Sequence, residues 1–210
     1  MGQGSVILAT FALVASFLVA LTYEGTKDTI AENEKQSLLR SLHVLVPPSR
    51  HDNDLYLDQI TLETAELSFR KKPITVFRAR MDNQPVAVIL SIIAPDGYGG
   101  PIKMLVAINE DGSLSGVRVV THKETPGLGD AIEAEKSDWI QSFNDKSLGD
   151  PPERDWLVRK DGGEFDQFTG ATITPRALVK AVFKSLKFYS RNKKMLFTVT
   201  SDPIKTRNSN

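Results

Sequence analysis

Residues 4–23 form an apolar run with no charged side chain, from Val6-Ile7-Leu8 to Val19-Ala20-Leu21. No other feature restricts the fold as strongly. Some 20 residues of helix reach roughly 30 Å at about 1.5 Å per residue, the depth of a bilayer's hydrocarbon core. The run therefore reads as a membrane anchor, residues 1–23, with Tyr23 at the interface. A cleaved signal peptide wants a basic start and a small-x-small cleavage site. Met1-Gly2-Gln3-Gly4-Ser5 has no Lys or Arg, and Ala20-Leu21-Thr22 is a poor cleavage site, so the retained anchor is favoured. Val6 stands where myristoylation would want Ser or Thr.

Behind the anchor, residues 24–48 read as a stalk. Ile30, Leu38, Leu42 and Leu45 fall near one face of an amphipathic helix over 26–46, which ends before Pro47-Pro48. The stretch from His51 to Asp58 spaces Asp52, Asp54 and Asp58 like a calcium loop but lacks the required Gly and terminal Glu, so a solvated turn is expected. From residue 74 onward β-branched runs predict strands over 74–80, 86–93, 102–108 and 116–121. Glu110-Asp111-Gly112 supplies a turn between the last two. Together they predict an antiparallel meander with one buried face. Helices are expected over 131–143, with Trp139 on its apolar side, and over 176–189, with Leu178, Ala181, Val182 and Leu186 facing the core. The fold class is α+β: an anchor, a stalk helix, a sheet domain over 49–200 with flanking helices, and a loose polar tail over 201–210.

Composition removes several chemistries. The 210 residues carry zero net charge and no cysteine. Thiolate nucleophiles, iron–sulfur ligation and Cys-type zinc sites are excluded. His43, His51 and His122 show no metal-ligand spacing. The lack of a basic excess argues against nucleic acid as a partner. No Walker loop is present, and no Gly-x-Gly-x-x-Gly fingerprint follows a strand, so NADH binding is not expected here.

Chemistry concentrates in three loops. Thr169-Gly170-Ala171-Thr172-Ile173-Thr174-Pro175 precedes the last helix. A hydroxyl residue followed by Pro is helix-start chemistry, which places Thr174 at the N-cap. The first turn then offers unpaired N–H groups to an anion, and Gly170 allows the chain to fold tightly around a bound phosphate. Asp96-Gly97-Tyr98-Gly99-Gly100-Pro101 allows close backbone approach, and Tyr98 suits a flat ring. His122-Lys123-Glu124-Thr125-Pro126-Gly127-Leu128-Gly129 follows the last strand. There Gly127 and Gly129 would supply exposed N–H groups, while Glu124 or Thr125 would hydrogen-bond a polar ring edge.

The first and third of these segments carry a family resemblance. Thr169-Gly170-Ala171-Thr172-Ile173-Thr174 resembles the [Ser/Thr]-Gly-Ala-Thr-x-[Ser/Thr] motif of the FMN-binding domain family. His122 to Gly129 is similar to its His-x-Glu-Thr-Pro-Gly-Leu-Gly signature. The two lie about 47 residues apart (122 to 169), in the family order. Such domains occur in the G subunits of Rnf (Rsx) electron transport complexes and the C subunit of the sodium-pumping NADH:quinone reductase. The resemblance implies FMN held through a phosphoester to Thr174. Thr169, Gly170, Ala171, Thr172, Tyr98, Glu124, Thr125, Gly127, Leu128 and Gly129 would lie around the cofactor. It implies a separate flavin transferase for maturation. It also implies an electron relay, not a stand-alone catalyst, inside a complex coupling NADH/ferredoxin electron flow to cation movement. Its partners would be the other Rnf subunits and the bilayer. The resemblance puts the soluble domain on the periplasmic side of a bacterial inner membrane. Lys27, Lys35 and Arg40 after the span point the other way by charge alone.

Overall fold

The structure, a computed structural model, describes residues 2–67 and 69–198. The expected tail over 201–210 lies outside the described residues. Two compact units emerge, Met1–Arg40 and Ser41–Asn210.

Helix α1 runs Gly2–Leu45 without a break at the expected anchor–stalk boundary. Its apolar part satisfies its few hydroxyls internally: Thr10 and Thr22 donate to the carbonyls of Val6 and Leu18, each at 2.9 Å. The amphipathic stripe expected over 26–46 holds only at its end. Leu42 and Leu45 are buried whereas Ile30 is exposed. Pro47 and Pro48 terminate the helix as expected.

The Ser41–Asn210 unit is built on an antiparallel meander in the order β1-β2-β3-β4-β5. These are β1 Gln59–Leu62, β2 Ile74–Met81, β3 Gln84–Ala94, β4 Ile102–Asn109 and β5 Leu114–Thr121. Register sets one row of side chains, Val76, Leu90, Val106 and Val117, across four strands. That face packs in one core with Leu178, Val182 and Leu186 of α2, Ile173–Thr198. The opposite face is buried too, contrary to the one-sided sheet expected from the sequence. Phe77, Ala79, Ala87, Ile89, Leu105 and Ala107 line it. At Gly116 a Cβ would stand 3.1 Å from Leu45, so this face receives the last turn of α1.

Two further expectations need correction. The helix over 131–143 is instead two short 3-10 segments, Gly129–Ile132 and Asp138–Phe143. Ser137 breaks them apart: its hydroxyl donates to Ala131 O at 2.6 Å and accepts from Trp139 N at 3.2 Å, offering the backbone partners that a continuous helix would replace. Trp139 does face apolar neighbours, edge-on to Phe143 and Phe168. The aspartates over 52–58 form a turn, but not a merely solvated one. Asp58 binds the guanidinium of Arg78, which is buried inside the sheet, and that of Arg80.

Candidate functional site

Three loops converge on one carboxylate, that of Glu124, which is buried. Its Oε1 accepts the backbone N–H of Gly99 at 2.9 Å, from the β3–β4 loop. Its Oε2 accepts the hydroxyl of Thr174 at 2.6 Å, from the first turn of α2. Both partners are neutral, and no cation pairs with Glu124 among the described residues. Its position is fixed from behind by His122, whose Nδ1 accepts the Glu124 N–H at 3.0 Å. That acceptor role leaves Nε2 to carry the imidazole hydrogen, directed at Glu133 Oε1 2.8 Å away.

Glycines surround Glu124 because nothing larger fits. A Cβ on Gly99 would lie 1.9 Å from Lys123 O, and one on Gly129 would lie 2.5 Å from Glu124 Oε2. These glycines admit the close approach of the chain itself. The Gly129 N–H, expected to be exposed, is instead taken up by Thr125 O at 3.2 Å.

Helix α2 begins at Ile173, so Thr174 and Pro175 sit inside its first turn and Thr172 takes the flanking position assigned to Thr174. Pro175 lacks the N–H that would go unpaired there. The turn leading in is set by Gly170 at φ +81°. Arg176 donates to Asp161 from two of its three guanidinium nitrogens, Nε and Nη2, and that hydrogen bonding holds the Asp161 carboxyl below the usual aspartate range. Lys180 is similarly engaged by Asp96 at 2.9 Å. Thus the head of α2 presents its backbone dipole to solvent while its nearest cations are paired.

Beside this head lies an open cavity of about 390 Å³. Tyr98, Glu124, Thr125, Leu128, Gly129, Gly170, Ala171 and Thr172 line it, all named from the sequence; Ile173 also lines it and was missed. Ile173 is half exposed, as is Leu128, and Tyr98 is 70% exposed, which leaves three apolar surfaces facing outward. Only its place as the variable residue of the motif could have flagged Ile173. Thr169 and Gly127 are exposed but are not part of the lining. Thr174 has no exposed surface and sits beneath it. A second, smaller cavity of about 150 Å³, near Ile92, Ala177 and Ala181, contains none of the candidate residues.

Residues 97–187, which contain Tyr98, Glu124 and Thr174, match the model of the FMN-binding domain, and residues 1–45 match that of the RnfG N-terminal region. The G subunit of the ion-translocating oxidoreductase complex of Shewanella amazonensis is 48% identical over 190 residues, covering 90% of this chain and 88% of that one. The corresponding G subunit of Pseudomonas aeruginosa is 47% identical over 194 residues, covering 92% and 91%. Among solved structures, the C subunit of the Na(+)-translocating NADH-quinone reductase from Parabacteroides distasonis aligns with TM-score 0.41 at 25% identity, over 62% of this chain and 65% of that one. The chain belongs to the family of ion-translocating oxidoreductase complex G subunits, with its three-loop site inside the FMN-binding domain.

Proposed function

We propose that this chain is a single-pass, membrane-anchored flavoprotein subunit that holds FMN through a phosphoester to Thr174. It relays electrons within an Rnf-type complex that couples NADH/ferredoxin electron transfer to cation translocation. The observation that carries the reading is the cavity at the head of α2, roofed by residues of both family motifs. Its residues fit a phosphorylated flavin. The first turn of α2 offers N–H groups to a phosphate, and exposed Tyr98, Leu128 and Ile173 offer apolar surface to a flat ring. Its volume falls within the range of about 300–1,000 Å³ usual for small-molecule sites. Bound there, the flavin accepts and returns one or two electrons, while the protein supplies position and electrostatic tuning.

A covalent link answers a weakness of the site. An exposed helix terminus contributes only about 0.3–1 kcal/mol to anion binding, and the nearby Arg176 and Lys180 are already paired. α1, long and apolar enough to cross a membrane, anchors the protein against its partners in the complex, with the flavin domain on the periplasmic side. Maturation calls on a separate flavin transferase.

The burial of Thr174 favours one competing reading, a protein that binds FMN non-covalently or serves structurally. Denaturing electrophoresis with flavin fluorescence separates the two. Expression with and without a transferase, beside Thr174→Ala, should give a fluorescent band that needs both the transferase and Thr174. A dark wild-type band despite an active transferase would leave the competing reading.

A further inference from the structure

We infer that the open end of the sheet, beside the flavin loops, is a docking surface for an acidic surface on another subunit of the complex. The inference rests on the chain's place in that complex and not on the covalent link. α1 meets this face of the sheet with its last turn, at Gly116. Gly116 closes the row Phe77, Ile89, Ala107, Gly116 across four strands. Side chains alternate between faces along a strand. The next row of this face toward the flavin loops is therefore Thr75, Ser91, Leu105 and Arg118, and the one after it holds Ile93, Lys103 and Thr121. Within two rows the face turns from apolar to hydroxyl-bearing and basic, and neither row contains an acid. Lys103 is exposed and Arg118 half-buried. With Lys72, Pro73, Thr75, Ser91 and Ile93, Lys103 lines a cavity of about 160 Å³. The exposed Lys123, two residues beyond Thr121, carries the patch to the flavin loops. Its carbonyl oxygen is the atom that a Cβ on Gly99 would meet at 1.9 Å, and Tyr98 is the next residue.

Charge pairing singles this patch out. Along α2, Arg176, Lys180, Lys187, Arg191 and Lys193 are matched by Asp161, Asp96, Glu153, Glu66 and Glu110 respectively. Among the described residues no carboxylate pairs with Lys103, Arg118 or Lys123. The nearby acids are already engaged. Asp96 holds Lys180, and Glu124 is buried with its oxygens on Gly99 and Thr174. In a chain of zero net charge, this leaves an uncompensated positive field at one end of the domain. An acidic partner surface supplies the missing charge, and the field steers it to the mouth of the flavin cavity. Pro73, Ile93 and the exposed Tyr98 place apolar surface among the cations. That mixture of apolar centre and charged rim suits a protein interface better than a layer of lipid headgroups.

The test measures association of the detergent-solubilised full chain with the complex purified without this subunit. Ionic strength runs from about 0.01 M to about 1 M, over which the screening length falls from about 30 Å to about 3 Å. Lys103→Glu/Lys123→Glu should slow association by about tenfold or more at low salt, the lower end of what steering contributes. The variant and wild-type rates should converge at high salt, which a damaged fold would not allow. Lys103→Gln/Lys123→Gln should fall between them. Lys194→Glu, which reverses an exposed cation near the C-terminal end of α2, should associate at close to the wild-type rate. Unchanged or faster association of Lys103→Glu/Lys123→Glu at low salt, or a deficit that persists at high salt, would overturn the proposal. So would a deficit that appears only when phosphatidylglycerol is added to the micelles, which would assign the patch to lipid headgroups. The assay reads association and not flavin, so an unlabelled chain would refute the covalent reading while leaving this result in place.

Discussion

Gly99→Ala probes the junction on which the site depends. The added Cβ would stand 1.9 Å from the Lys123 carbonyl oxygen and 2.4 Å from its carbon, both backbone atoms with no rotamer to change. Since carbon contacts settle near 3.5–4.0 Å, one strand of chain must retreat by about 1 Å or more. Retreat carries away either Gly99 N or the backbone of Glu124, breaking the 2.9 Å hydrogen bond to Oε1. Overpacking costs about 1–3 kcal/mol, and depriving a buried carboxylate of a donor costs about 1–3 kcal/mol more. The sum of about 2–6 kcal/mol corresponds to a fall in Tm of roughly 5–20 °C for a unit of this size. Gly127→Ala is the control. It meets no atom within 4 Å and suffers only from its φ of +76°, a cost of about 1–2 kcal/mol. Chemical denaturation in detergent compares the two. Equal losses would refute the claim that the β3–β4 loop is locked onto Glu124.

Other consequences follow from named contacts. Thr174→Val removes the donor to Glu124 Oε2 and should lower stability by about 1–3 kcal/mol in the same assay, as well as abolishing covalent flavin. Asp58→Ala removes the carboxylate that the buried Arg78 guanidinium binds and should cost about 3 kcal/mol by urea denaturation. Asp161 has its pKa depressed in the folded state by Arg176. Its contribution is present above the unfolded aspartate value and lost as pH falls through the lower folded value. Asp161→Asn should therefore match wild type in strong acid and fall behind only as pH rises through that window, as seen in Tm measured against pH.

The sheet was legible because its strands are written in β-branched residues. All four strands expected from residue 74 onward appear with boundaries shifted by two residues or fewer. β1 escaped notice: Gln59-Ile60-Thr61-Leu62 is short, and its pairing with β2 supplies what its composition does not. The second buried face was hidden because the sequence does not say that the end of α1 returns to the sheet at Gly116. Helix α2 outran its expected end at 189 for a similar reason. Its last turn is capped from β2, where Arg80 donates to Phe197 O at 2.8 Å. At the site, residue types and spacing named the lining but not the roles. Glu124 and Thr174 are 50 positions apart, and only the fold brings them into contact. A glycine that approaches a ligand and one that approaches its own chain read alike in a sequence.

The most direct measurement of the central claim is peptide mapping of the chain purified with its transferase. Cleavage after Lys160 and Arg176 releases residues 161–176, which hold Thr169, Thr172 and Thr174 together. Fragmentation then assigns any added mass to one hydroxyl. An FMN phosphoester on Thr174 alone is the expected result. An unmodified peptide, or an adduct on the half-exposed Thr172 that lines the cavity, would contradict it.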